Sequence, residues 1–118
     1  MAKHLETGKK AEDLASIFLE EKGYEIRSRN YRYGRAEIDI IVQKDIFLVF
    51  VEVKSLTNTK FGNPEISVTK NKIKLVTKAA ENFVYTTNWQ QQIRFDIVSI
   101  IFRTDDNIEI THFEDAFY

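Results

Sequence analysis

Residues 36–55 read AEIDIIVQKDIFLVFVEVKS. Two runs in it, Ile38–Val42 and Ile46–Val53, are rich in β-branched and aromatic residues and read as strands. Lys44-Asp45 forms a short connection between them, which predicts a hairpin. Side chains alternate along a strand. Ile46, Leu48, Phe50, Glu52 and Lys54 therefore share one face, and Phe47, Val49, Val51 and Val53 the other. Both faces begin apolar, as a central strand covered on both sides requires. A two-residue Lys44-Asp45 loop pairs Gln43 with Ile46, Asp39 with Phe50 and Glu37 with Glu52. Glu37, Asp39, Glu52 and Lys54 then project from one face, with Asp39 and Glu52 as diagonal neighbours roughly 7–8 Å apart.

Carboxylates gathered on a sheet repel one another and are costly to desolvate. A divalent cation between them relieves both penalties. Oxygen ligands without His or Cys favour Mg²⁺ or Mn²⁺. Such an ion polarises a phosphoryl oxygen and supplies a hydroxide-like nucleophile. The Lys54 ammonium, on the same face, can orient the attacking water or stabilise charge on the phosphate. The pair Glu52-x-Lys54 alone is a weak signal, since such pairs are common on solvated strand edges. The acidic residue on the preceding strand sharpens it.

Outward from this hairpin, Ala11, Leu14, Ala15, Phe18 and Leu19 recur at helical spacing after Gly8. Gly23 suits the C-terminal cap of that helix. Tyr24–Tyr33 reads as a strand with an irregularity at Arg29-Asn30, followed by a turn at Gly34. Residues 57–65, TNTKFGNPE, read as a loop broken by Gly62 and Pro64. A helix follows over 69–85, with Ile73, Val76, Ala79, Ala80, Phe83 and Val84 on its apolar face and Lys70, Lys74 and Lys78 opposite. Strands are expected over 93–102 and 108–113. The order is α-β-β-β-α-β-β, an α/β sheet with helices packed on its faces. Asp96 is expected to form a structural salt bridge with Arg94 or Lys72. His4 and His112 belong to no constellation.

The bulk numbers agree with one domain over residues 1–118, with 43% hydrophobic and 30% charged residues. The absence of cysteine excludes disulfides and thiolate metal sites, and two histidines disfavour a multi-histidine zinc site. No apolar run reaches the roughly 20 residues that span a bilayer. MAKHLETGKKAEDL has no signal-peptide core, so a cytoplasmic location is expected. Net charge is −1, but five lysines against the single acid Glu65 lie between Lys60 and Lys78. That stretch can meet an anion.

An acidic residue ending one strand and E-x-K on the next resembles the PD-(D/E)xK nuclease superfamily. More closely, the chain resembles the YraN-type family of bacterial proteins, akin to archaeal Holliday-junction resolvases. GKKAEDLASIFLEEKGY, GRAEIDIIV, VFVEVKS, FGNPEISVTKNK, RFDIVSI and the terminal DAF carry the resemblance over nearly the full chain. It implies a restriction-endonuclease-like mixed sheet with an αβββαβ core. It also implies nucleic-acid binding and metal-dependent phosphodiester hydrolysis in structured or branched DNA. Asp39 and Glu52 correspond to metal ligands and Lys54 to the catalytic lysine. Glu12 corresponds to a glutamate that related resolvases bring to the metal. Lys72 corresponds to a basic position near the active face. Symmetric cutting of two strands needs two sites, so a homodimer is a further expectation. Lys70, Lys72, Lys74 and Lys78, with Arg29, Arg32 and Arg35, are the candidate phosphate contacts. A nucleic-acid-binding module without catalysis, or a protein-interaction module on the same fold, stays open as an alternative.

Overall fold

In a computed structural model, residues 2–57, 68–103 and 106–117 are described, with side chains from residue 8 onward. The elements are α1 (Ala2–Glu21), β1 (Glu25–Tyr33), β2 (Ala36–Lys44), β3 (Phe47–Thr57), α2 (Lys70–Thr87), β4 (Gln92–Phe102) and β5 (Ile108–Phe113). The expected loop residues Lys60, Gly62, Pro64 and Glu65, and the His4 side chain, lie outside the described residues. The strands form one sheet in the order β1-β2-β3-β4-β5. Only β3 and β4 run parallel, and the chain between them passes through α2. Parallel neighbours need such a crossover, whereas the antiparallel pairs are joined by short connections.

Each face of the sheet has its own core. Ile38, Ile41, Leu48, Phe50 and Ile97 pack with Val76, Ala79, Ala80 and Phe83 of α2. Ile40, Val42, Val49, Val51, Val98 and Ile100 pack with Ala11, Ala15 and Leu19 of α1. The expected apolar stripe of α2 is therefore the buried one. Thr69 caps this helix, its Oγ1 accepting from Lys72 N at 3.2 Å. Gly23 closes α1 at φ +95, and Tyr24 N donates to Leu19 O across it, the Schellman arrangement.

Three boundaries differ from the sequence reading. First, α1 starts at Ala2 and runs through Gly8. The helix tolerates that glycine at a cost of about 1 kcal/mol relative to Ala. Second, β3 continues past Val53 to Thr57, because Ser55, Leu56 and Thr57 find partners in Ile100, Ile101 and Phe102 of β4. Third, the hairpin turns on Asp45-Ile46. Lys44 stays in the ladder opposite Phe47, and Gln43 pairs with Leu48, not Ile46. Ile41, not Asp39, faces Phe50. Asp45 takes φ +55, which a short Asx side chain tolerates better than a lysine does. Lys44 is held elsewhere: its Nζ donates to Lys22 O at 2.6 Å and lies over the Tyr24 ring.

Candidate metal and phosphate site

The displacement of the turn shifts the pairing by two residues, an even number. Alternation along β3, which no register shift alters, keeps Glu52 on the face of Phe50, on the side of α2. The β2–β3 ladder runs only as far as Ile40↔Val51. One step further on, Asp39 Oδ2 accepts the Val53 N–H at 2.7 Å. A carboxylate thus takes the donor that the parting strands leave without a ladder partner.

The β2 alternation breaks at this same residue. Ile38 lies in the α2-side core and Ile40 in the α1-side core, although they are two apart. On β1, Asn30 lies between the pairs Arg29↔Ile40 and Tyr31↔Ile38 and adopts φ +55. Both strands flip together, which makes the expected irregularity at Arg29-Asn30 part of the site. The flip also corrects one expectation. Ala36 and Ile38 face α2, so Glu37 faces away from Glu52. It pairs instead with Arg32, its direct partner across β1, at 2.8 Å.

Glu52 is buried, and Lys72 Nζ of α2 stands 3.5 Å from its Oε2. Glu12 projects from α1 between the buried Ala11 and Ala15. Burial and the nearby Glu52 charge raise Asp39 from 3.8 to about 7; Glu12 adds to this, while the Val53 N–H and Lys72 oppose it. One aspartate thus feels the acids of β3 and α1 and the base of α2. Lys54 is half-buried on the Glu52 side of β3 and has no ion-pair partner among the described residues.

This donor set suits a hard divalent cation. It consists of oxygens only, and burial first, then the Glu52 charge, disfavour the ionised Asp39 that a cation would stabilise. Among the described residues, no three His, Cys, Asp or Glu side chains already enclose an ion position. Mg²⁺ needs no such cage, because it binds through one or two carboxylates plus water and substrate phosphates. Asp39 and Glu52 would hold it, with Glu12 as an outer carboxylate.

The candidate phosphate contacts divide into two groups. Lys70, Lys74 and Lys78 are exposed along α2, as expected, and have no ion pairs among the described residues. Arg35 is exposed too. Arg29 and Arg32 are already engaged, Arg29 with Asp13 at 2.8 Å and Glu12 at 3.4 Å, and Arg32 with Glu37. Arg29 therefore braces α1 against β1 beside the carboxylates.

Asp96 forms the salt bridge expected of it, with Arg94 and not with Lys72, and the bridge is part of a larger network. Arg94 Nε and Nη2 grip Asp96 at 2.9 and 2.8 Å, and Nη2 also donates to Tyr24 Oη. His112, which the sequence reading left unassigned, stands with Nε2 2.7 Å from Asp96 Oδ2 and Nδ1 2.6 Å from Lys22 Nζ. An ammonium can only donate, so Nδ1 accepts and the ring proton sits on Nε2, donated to Asp96. The signal for His112 was its alternation with Ile110, which places both toward α1.

The αβββαβ core, the mixed five-stranded sheet and one helix layer on each face are those of a restriction-endonuclease-like fold. The sequence profile of the Uncharacterised protein family UPF0102 matches residues 11–100, and the chain belongs to that family. It is 44% identical to a UPF0102 protein of Flavobacterium psychrophilum over 118 residues, covering 100% of this chain and 98% of the relative. A UPF0102 protein of Bacteroides thetaiotaomicron is 43% identical over 118 residues, with 100% and 97% covered. One from Chloroherpeton thalassium is 50% identical over 96 residues, 80% of this chain and 74% of the relative. The family resemblance read from the motifs is thereby borne out. Among the described residues, no helix is long and apolar enough to cross a membrane.

Proposed function

We propose that this protein is a divalent-cation-dependent endonuclease-like enzyme that hydrolyses phosphodiester bonds in DNA, branched or otherwise structured DNA above all. The observation that supports this most is the setting of Asp39. It sits half-buried where β2 and β3 part, raised to about 7 by this burial and by the Glu52 charge, and Lys54 of E-x-K has no ion-pair partner among the described residues. Bound Mg²⁺ or Mn²⁺ supplies positive charge against the phosphoryl oxygens. Asp39 and Glu52 bind that charge. The Val53 N–H fixes the Asp39 carboxylate, and Arg29 fixes Glu12. Lys54 orients the attacking water or steadies charge on the phosphate. Lys70, Lys74, Lys78 and Arg35 hold the flanking backbone, as exposed cations do for phosphates. Paired cuts across a branch need two copies of the site, so a homodimer acting in the cytoplasm belongs to this reading.

The test is a Mg²⁺ and Mn²⁺ titration with branched, duplex and single-stranded DNA, using Glu52→Gln as control. The expected result is metal-dependent cleavage, strongest on the branched substrate and absent in the variant. Salt-dependent binding without cleavage would instead leave a nucleic-acid-binding module, the reading that the exposed α2 lysines Lys70, Lys74 and Lys78 favour by themselves. Absence of both would point to a protein-interaction module.

A further inference from the structure

We infer that Lys72 is a built-in counter-ion for Glu52 that a divalent cation displaces, after which its ammonium binds a phosphate of the substrate. The inference rests on the site proposed above. It starts from a division of labour between two lysines. In E-x-K the lysine lies two residues from the glutamate on the same strand face, and Lys54 has no ion-pair partner among the described residues. The charge that neutralises Glu52 comes from another element, through Lys72 Nζ at 3.5 Å.

The two partners differ in exposure. The Glu52 side chain is 11% exposed and that of Lys72 is 36% exposed. The carboxylate is therefore fixed in the fold, and the ammonium sits at the rim on a flexible stem. The base of that stem is anchored, because Lys72 N donates to the capping Thr69 and the next residue, Ile73, packs on the α2-side core. The tip can swing while the backbone stays. Its charge also opposes the ionic repulsion at Asp39. A cation that binds Asp39 and Glu52 takes over this task and repels the ammonium. The displaced Lys72 ammonium, already at the rim, is then available to a phosphate on the helix that also carries the exposed Lys70 and Lys74. Lys72 is thus a positioning residue that keeps the metal-free site neutral and links metal binding to phosphate binding.

The experiment compares the parent, Lys72→Gln, Lys72→Arg and Glu52→Gln by Mn²⁺ titration calorimetry, metal-free thermal melting and binding to a nuclease-resistant phosphorothioate duplex. Removing a competing charge should tighten Mn²⁺ binding of Lys72→Gln by about threefold to tenfold. The same variant should melt at a lower temperature without metal. Lys72→Arg should restore parental behaviour in both. With Mn²⁺ present, Lys72→Gln should bind the duplex with a salt slope shallower by about 0.9, one phosphate contact. Mn²⁺ affinity that is unchanged or weaker in Lys72→Gln, beside parental binding that Glu52→Gln abolishes, would overturn the counter-ion role and leave the site standing. An unchanged salt slope would overturn the phosphate contact. Parental Mn²⁺ binding insensitive to Glu52→Gln would overturn the site reading and this inference with it.

Discussion

Asp96 and Asp39 are both charged residues set into interior strands, on β4 and β2, and the fold treats them in opposite ways. Asp96 has no exposed surface and receives Arg94 Nε and Nη2, His112 Nε2 and Asp115 N. Burial alone would raise its pKa, but these donors outweigh burial and lower it below the ordinary 3.8. Among the described residues, Asp39 has a single donor, Val53 N, and two acidic neighbours, and it is raised to about 7. A buried carboxylate with a complete set of partners is part of the scaffold. A half-buried one that lacks them, like Asp39, is disfavoured in its charged form, and strongly perturbed carboxylates of this kind cluster at functional sites.

The sharpest break between the two is expected in stability. Asp96→Asn puts an amide donor against the guanidinium and imidazole donors and leaves Arg94 only the exposed Glu114 carboxylate, 3.7 Å away. Removing one partner of a buried pair costs about 3–5 kcal/mol. Asp39→Asn keeps an oxygen for Val53 N–H and removes a repelling charge. The metal-free protein should be as stable as the parent at pH 8, or more so, and should lose Mg²⁺ and Mn²⁺ binding. Urea unfolding of both variants decides this. If Asp39→Asn costs as much as Asp96→Asn, Asp39 is a structural anchor.

The second expectation is a pH dependence of opposite sign at the two sites. In the unfolded chain Asp39 titrates near 3.8, and in the folded protein near 7. Between those values the folded state holds a proton that the unfolded state has lost, so stability falls as pH rises from about 4 to about 7. A shift of this size corresponds to roughly 4 kcal/mol. Asp39→Asn should flatten this window. Asp96, lowered in the folded state, contributes stability that is present above 3.8 and lost only as pH falls through its lower folded value. Denaturation curves of the metal-free protein from pH 3 to 8 separate the two.

The two sites were also unequally legible in the sequence. Charged residues on an apolar strand, at Asp39, Glu52 and Lys54, could be read because alternation assigns faces without coordinates. The assignment of Glu52 survived a misplaced turn because alternation within β3 does not depend on where the hairpin turns. Glu37 did not survive, since the flip at Asn30 and Asp39 leaves no mark in a hydrophobicity pattern. The helix stripes and strand order followed from periodicity. The Asp96 network was legible only as far as Arg94, two residues away on the same strand. His112, Tyr24 and Asp115 come from three other segments, and their meeting depends on how β4, β5 and the end of α1 stack.

A smaller effect sharpens the account of Asp96. Arg94→Lys keeps the charge but loses the two-pronged grip on Asp96, the bond to Tyr24 Oη and the guanidinium position over Phe47, 5.2 Å from the ring. Lysine supplies a point charge where a planar fork is needed. A loss of about 1–2 kcal/mol in urea unfolding is expected, less than for Asp96→Asn because the carboxylate stays neutralised. A change within about 0.5 kcal/mol would mean that charge alone, not geometry, secures Asp96.

The smallest effect on stability, and the most informative one for function, belongs to the cations left outside both networks. Lys70, Lys74 and Lys78 recur every four residues on the outer side of α2, exposed and without ion pairs among the described residues. Replacing all three with Ala removes no packing and improves helix propensity slightly, so urea unfolding should move by less than about 1 kcal/mol. DNA affinity should respond quite differently. Each lysine that touches a phosphate releases a counter-ion, so its loss should flatten the salt dependence on duplex DNA by roughly 0.9 per contact. Mn²⁺ affinity should stay at the parental value, because among the described residues the ammonium group paired with Glu52 is that of Lys72. A triple variant that binds DNA like the parent at every salt concentration would reduce the stripe to a solvated face. The track would then have to run past Arg35 and the turn at Gly34, since Arg29 and Arg32 are already committed to acids of their own.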